Sequence, residues 1–194
     1  MAPELKQYED LLANVRRDRQ FHSIRNLVQP DDPNVKEVAD VLIQAPDFIE
    51  AAQDFVAEFA SYQEEVGDYW GFPFETLAFK YGDCDDLAIL LCSILRNGIS
   101  ADKVFCAIGT WEKRGEETGH MWVTIVNQNG RDRIVEATAP SYKRTGGTYR
   151  LSAIFNDEYT WSTARGLKEF GLMPFEEVIA TLEMTGAIKV PAGG

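Results

Sequence analysis

The segment that most constrains this chain starts at Gly82-Asp83-Cys84-Asp85-Asp86 and runs on through Leu87-Ala88-Ile89-Leu90-Leu91-Cys92-Ser93-Ile94-Leu95-Arg96-Asn97-Gly98. Leu87, Leu90, Leu91, Ile94 and Leu95 recur at helical spacing, so the run predicts a strongly buried helix. Aspartates fill its first turn, where negative charge suits the helix dipole. Arg96 stands at its end, and Gly98 is placed to supply a left-handed cap. A helix this apolar needs partners around it. With 194 residues, 45% of them hydrophobic, the chain has enough for one domain with a substantial core.

Upstream, residues 4–28 read as a first helix carrying Leu5, Tyr8, Leu11, Leu12, Val15, Ile24 and Leu27. The basic stretch Arg16-Arg17-Asp18-Arg19 reads as its solvated face. Pro30 and Pro33 then break the chain. Two more helices follow over 35–45 and 47–65, separated by Pro46. An aromatic loop spans 67–74. Downstream, strands are expected over 104–109, 119–127 and 131–138, the last two joined by the turn Gln128-Asn129-Gly130. The charged stretch 111–118 reads as a surface loop. Beyond Pro140 the pattern weakens; residues 174–186 read as helix and 191–194 as a frayed tail. The division is a helical extension over 1–65, a core over 66–140, and a C-terminal completion of the same domain over 141–194.

The net charge of -12 repels nucleic-acid phosphates and anionic membranes, so neither is expected as a partner; a basic substrate is tolerated or attracted. No run approaches the ~20 apolar residues of a membrane helix. The first residues lack the apolar centre of a signal peptide, so the expected location is cytoplasmic. Three cysteines, an odd number with no Cys-x-x-Cys pair, argue against a disulfide framework, and two histidines argue against a Cys/His zinc site. Cys92 and Cys106 read as core, and His22 as a structural or surface residue. Nothing in the composition speaks to oligomeric state.

Cys84 is different. It lies at a turn-to-helix junction, where the positive end of the helix dipole stabilises a thiolate. A lone cysteine is more often a small buried residue. Here Asp83, Asp85 and Asp86 surround it, which points to a place near solvent, and their charge raises the thiol pKa unless a cation opposes them. A histidinium is the natural opponent. His120, opening the strand His120-Met121-Trp122-Val123-Thr124-Ile125, can supply it. Trp122 shares the His120 face and either walls the cleft or packs in the core. A third group should hold the imidazole, and Glu136 on the next strand is the candidate. Its direction depends on the turn. A two-residue turn puts residue 120 opposite 139 and Glu136 on the other face. A three-residue loop puts 120 opposite 138, and Glu136 then opposes Trp122 and neighbours His120 diagonally.

Taken together, Gly-Asp-Cys-Asp-Asp-Leu-Ala-Ile-Leu-Leu-Cys-Ser-Ile-Leu-Arg-Asn-Gly-Ile, Gly-His-Met-Trp-Val and Val-Glu-Ala-Thr resemble the transglutaminase-like superfamily. The stretch 68–77 looks like its bacterial cysteine peptidase branch. The resemblance covers roughly residues 66–140. It implies an α+β, papain-like core, a nucleophile-bearing helix on an antiparallel sheet, and a Cys-His-Asp triad carried by Cys84, His120 and the position of Glu136. This chain departs there, having glutamate where the family usually has aspartate. The resemblance also implies an oxyanion donor upstream, for which Tyr69 and Trp70 are candidates, packing being the alternative. Some relatives bind calcium through acids beside the cysteine. Asp83, Asp85 and Asp86 offer such oxygens, yet Asp85 and Asp86 also read as ordinary first-turn residues. The expectation is therefore no cofactor, with calcium left open. The implied activity is amide or peptide hydrolysis through an acyl-enzyme, on a peptide or protein substrate. A transamidase of the same fold and a catalytically silent peptide- or protein-binding module are the alternatives.

Overall fold

The computed structural model describes residues 4–185, apart from 19, 65, 66, 68 and 128–131. In chain order the elements are β1 (Lys6–Tyr8), β2 (Leu11–Ala13), β3 (His22–Ser23), a 3-10 turn (Ile24–Leu27), α1 (Pro33–Leu42), α2 (Phe48–Phe59) and β4 (Ser61–Tyr62). Then come α3 (Pro73–Phe79), β5 (Tyr81–Gly82), α4 (Cys84–Leu95), β6 (Val104–Lys113), β7 (Glu116–Ile125) and β8 (Arg133–Val135). The chain closes with β9 (Thr148–Phe155), β10 (Thr160–Ser162), α5 (Ala164–Glu169), β11 (Met173–Pro174) and α6 (Phe175–Met184). The fold is α+β and transglutaminase-like.

Among the described residues the main sheet has six antiparallel strands in the order β1-β10-β9-β6-β7-β8. Side chains alternate along each strand. Val104, Cys106 and Ile108 of β6, with Met121, Val123 and Ile125 of β7, join the core built on α4; Phe105, Ala107 and Trp122 form a smaller cluster on the other face. Every residue of α4 from Asp85 to Leu95 is buried, as its near-continuous apolar run demands. The main cluster draws on residues from Leu11 to Leu172, so both ends of the chain share one core.

Several expectations are corrected. Residues 4–28 do not form a helix. Burial alternates over Leu11, Ala13 and Val15, a strand period, and Asp10 accepts from the Leu11 amide (2.8 Å) and the Ser23 hydroxyl (2.9 Å), bonds that compete with a helix. The strands find partners far away in sequence, β1 on β10 and β2 on β11. The first part of the chain is thus not a purely helical extension, although α1 and α2 form, capped by Asp32 and Asp47. α2 ends at Phe59, where the chain turns into β4 alongside β5.

The stretch 111–118 is not a loop. The β6–β7 ladder continues to Lys113 and Glu116, closed by Arg114 and Gly115, both at positive φ (56° and 86°), the two-residue turn that suits the twist of a hairpin. The left-handed cap expected at Gly98 does not form; α4 ends at Arg96 in right-handed conformation. Asp85 and Asp86 are buried rather than near solvent. The turn Gln128-Asn129-Gly130 and the tail 191–194 lie outside the described residues. No helix among the described residues is long and apolar enough to cross a membrane.

Candidate active site

Asp83 caps α4 by accepting from the Asp85 amide, so Cys84 is the first residue of the helix, and it is half-buried. The sheet explains why it can sit there. β8 pairs with β7 only as far as Val123–Val135. Two residues nearer the start of β7, the Met121 amide donates to the Cys84 sulfur. The cysteine therefore lies against β7 at Met121, the residue that follows His120. Burial pushes its thiol up to about 12; Asp85, Asp83 and Glu136 push the same way, and the Met121 amide pulls against them. The sequence-level worry about flanking carboxylates has a structural counterpart.

The register Val123–Val135, Thr124–Ile134 and Ile125–Arg133 is the odd-loop register. Continued, it sets Trp122 opposite Glu136 and His120 opposite Thr138, with His120 and Glu136 on one face. They meet: His120 Nε2 lies 2.9 Å from Glu136 Oε2, both side chains being largely buried. Glutamate's extra methylene is taken up by a fitted set of donors. Tyr149 donates its hydroxyl to Oε2 (2.7 Å), while the Thr138 amide (3.1 Å) and hydroxyl (2.8 Å) donate to Oε1. Burial works to raise the Glu136 carboxyl. The bond and charge of His120, with Tyr149 and Thr138, outweigh it and hold the group below its ordinary value. It stays ionised.

Aromatic rings close around the imidazole. Trp111, Tyr149 and Trp122 have centroids 5.6, 6.1 and 6.2 Å from it. Trp122 stacks on His120 and sits almost wholly buried, in the smaller cluster with Phe105 and Ala107. Tyr62, exposed on β4, carries a hydroxyl pushed up to about 12 by burial, with Cys84 and Asp83 adding to it. It lies within electrostatic reach of the sulfur.

Tyr69 and Trp70 have packing partners. The Tyr69 hydroxyl donates to Glu75 (2.8 Å), and Arg16 bridges to the same carboxylate across the Tyr69 and Phe72 rings. Trp70 is buried against Phe155, centroids 6.1 Å apart. Cys92 and Cys106 are fully buried free thiols, and His22 pairs with Asp18 (2.8 Å) on a partly exposed strand.

Asp83, Asp85 and Asp86 each offer a ligand atom within 4.8 Å of the others. Asp86 accepts from the Gly71 amide (2.6 Å) and the Asp83 amide (3.3 Å), tying α4 to the loop before α3. Asp85 accepts from the Asp86 amide. Burial, then Asp83 and Asp86, hold the Asp85 carboxyl well above its ordinary value.

Three contributors were missed in the sequence. Thr138 had a signal: it lies two residues beyond Glu136 in the strand expected over 131–138, although in the structure it stands in the turn after β8. Tyr149 had none, because it reaches the site through the long-range pairing of β9 with β6, and Trp111 was hidden by the reading of 111–118 as a loop.

Solved structures share this fold. Calcium-bound LapG of Legionella pneumophila is 20% identical with a TM-score of 0.52, covering 68% of this chain and 77% of that one. The EGTA-treated form is 18% identical, TM-score 0.52, over 76% and 92%. A further LapG structure is 18% identical, TM-score 0.52, over 74% and 88%. At these identities the likeness concerns the fold. No family model matches the chain, and no curated protein does.

Proposed function

We propose that this protein is a cysteine-dependent amide or peptide hydrolase acting through Cys84, His120 and Glu136. The observation that carries the reading is the His120 Nε2–Glu136 Oε2 bond beside a cysteine that already accepts from the neighbouring Met121 amide. Anchoring Nε2 leaves Nδ1 as the nitrogen to serve the thiol. Because the resting thiol holds its proton, His120 acts as a base during attack rather than as half of a preformed ion pair.

Sγ attacks the amide carbonyl as its proton passes to Nδ1, and the oxyanion faces the positive end of α4. The imidazolium, compensated by ionised Glu136, gives its proton to the leaving amine as the C–N bond breaks. Water then attacks the thioester with His120 as base; the acid leaves and the thiol is restored. The substrate is a peptide or protein, and the charge of -12 favours a basic one.

The expectation of no cofactor is revised: we propose that Asp83, Asp85 and Asp86 hold calcium. The donors are hard oxygens, close together, two of them buried, and burial with the neighbouring Asp83 and Asp86 holds the Asp85 carboxyl well above its ordinary value. A cation there would offset the negative charge that pushes the Cys84 thiol up. Removing calcium with EGTA should lower the Tm, and calcium alone should restore it.

The activity is tested on a basic peptide library read by mass spectrometry, with Cys84→Ala as control. Cleavage lost in Cys84→Ala and in His120→Ala supports the reading. Iodoacetamide labelling of Cys84 that is as fast in His120→Ala as in the native chain, with no cleavage, would sink it. Products joined to an added amine would make the enzyme a transamidase instead.

A further inference from the structure

Glu136 stands just outside the sheet. β8 leaves its ladder at Val135, so the next backbone is no longer held by β7. Something else must fix the Glu136 main chain if its carboxylate is to meet His120. The holder comes from α2, a part of the chain that no motif connected with the site. Gln53, buried on α2 at 8% exposure, donates its side-chain amide to the Glu136 carbonyl (3.0 Å) and the Ala139 carbonyl (2.9 Å). An amide NH2 has two hydrogens, and each finds one carbonyl. The contact closes the turn 136–139 from outside. The same helix continues the hold: Asp54 accepts from the Ser141 amide and hydroxyl, and Glu58 from the Tyr142 hydroxyl.

We propose that Gln53 is a positioning residue of the triad, fixing Glu136 against His120 by holding the two carbonyls that bracket the turn after β8. The inference rests on the triad reading above. It gives α2 a role beyond packing: the helix covers α4 and also sets the aim of the third catalytic group. The side chains on Glu136 orient its carboxylate, but Thr138 lies inside the stapled turn, so its two bonds depend on the same hold. Misplacement by ~1 Å is enough to cost about 10²-fold in rate.

The test uses the two imidazoles of the full chain as probes in 15N-resolved NMR; His22, paired with Asp18, is the internal reference. The native ring of His120 should show a hydrogen-bonded Nε2–H. Glu136→Gln should shift that signal, because a neutral amide replaces the charged acceptor. Gln53→Met, which keeps length and loses the donor, should shift or broaden it in the same direction. Val56→Ala, a buried α2 change away from the turn, should lower the Tm and leave the His120 signal in place. Gln53→Asn keeps the amide one methylene short and should give a smaller shift; it is read if Gln53→Met does not fold. A native His120 signal in the folded Gln53 variant, with Glu136→Gln shifted, overturns the inference alone. A native signal in Glu136→Gln overturns the triad reading beneath it.

Discussion

Aspartate is the residue that the resemblance implies at position 136, so Glu136→Asp is the change a sequence comparison would call safe. The structure predicts the opposite. The Glu136 carboxylate sits 2.9 Å from His120 Nε2, 2.7 Å from the Tyr149 hydroxyl and 2.8 Å from the Thr138 hydroxyl. Removing one methylene withdraws it by about 1.5 Å. The backbone cannot follow, because Gln53 holds the Glu136 and Ala139 carbonyls. The bonds to His120 and Tyr149 then stretch to roughly 4 Å, outside hydrogen-bond range. Each is charge-assisted, and such bonds contribute about 1.5–3 kcal/mol. With water entering the gap, a net loss of about 3 kcal/mol is expected. In a chain this long 1 kcal/mol moves the Tm by about 2–4 °C, so calorimetry should read a fall of roughly 6–12 °C. Cleavage should drop on the order of 10²-fold, since the imidazolium loses its partner. An aspartate variant with native Tm and native cleavage would refute the claim that the site is fitted to glutamate.

Asp85→Asn should stabilise the calcium-free protein. The folded carboxyl is held well above 3.8, so the unfolded chain ionises first and stability falls as pH rises past that value. Urea denaturation in EGTA should show a gain of about 1 kcal/mol or more at pH 7 that disappears near pH 4; a loss at pH 7 would contradict it. Glu136 has the other sign. Its folded value lies below 4.5, so its contribution is complete above that pH and is lost as pH falls through the folded value. The stability gap between the native chain and Glu136→Gln should therefore be widest near neutrality and close in acid; a gap independent of pH would argue against an ionised Glu136. Gly147→Ala should cost about 1–3 kcal/mol, because Gly147 has φ +88° and a Cβ there runs into Trp111 Nε1 and the Glu112 carbonyl. Thermal melts followed by tryptophan fluorescence would read it, and a native melt would count against the close packing of that loop on Trp111.

What the sequence disclosed was whatever depends on near neighbours. The apolar run of α4 leaves little choice but a buried helix, and its acid-flanked start marks Cys84. The parity argument at Glu136 could state the condition for meeting His120 without saying which loop obtains, since a one-residue difference reverses the face. The strands at the N-terminus were misread because Leu5, Tyr8, Leu11 and Leu12 are spaced as a helical stripe, which hides the alternating set Leu11, Ala13 and Val15; the partner of β1 lies some 150 residues away. The β6–β7 arm was misread as a loop because its residues 112–118 carry mostly charge, and only the Arg114-Gly115 turn signals a hairpin. Tyr149, Trp111 and Gln53 are ordinary residues until tertiary structure puts them together.

The pairing of β1 with β10 also sets an order of events. Cys84, His120, Glu136 and Tyr149 fall within the middle of the chain, so α4 and the β6–β7 hairpin can assemble from nearby pieces. Lys6 must wait for Ser162 before the sheet can be completed. Until that contact forms, β10 presents an open edge with unpaired backbone groups, the kind of template on which a second molecule can add a strand. Refolding should therefore be most vulnerable to aggregation in its last step, after Cys84, His120 and Glu136 have come together, and a short N-terminal deletion should harm solubility before it harms the proposed activity.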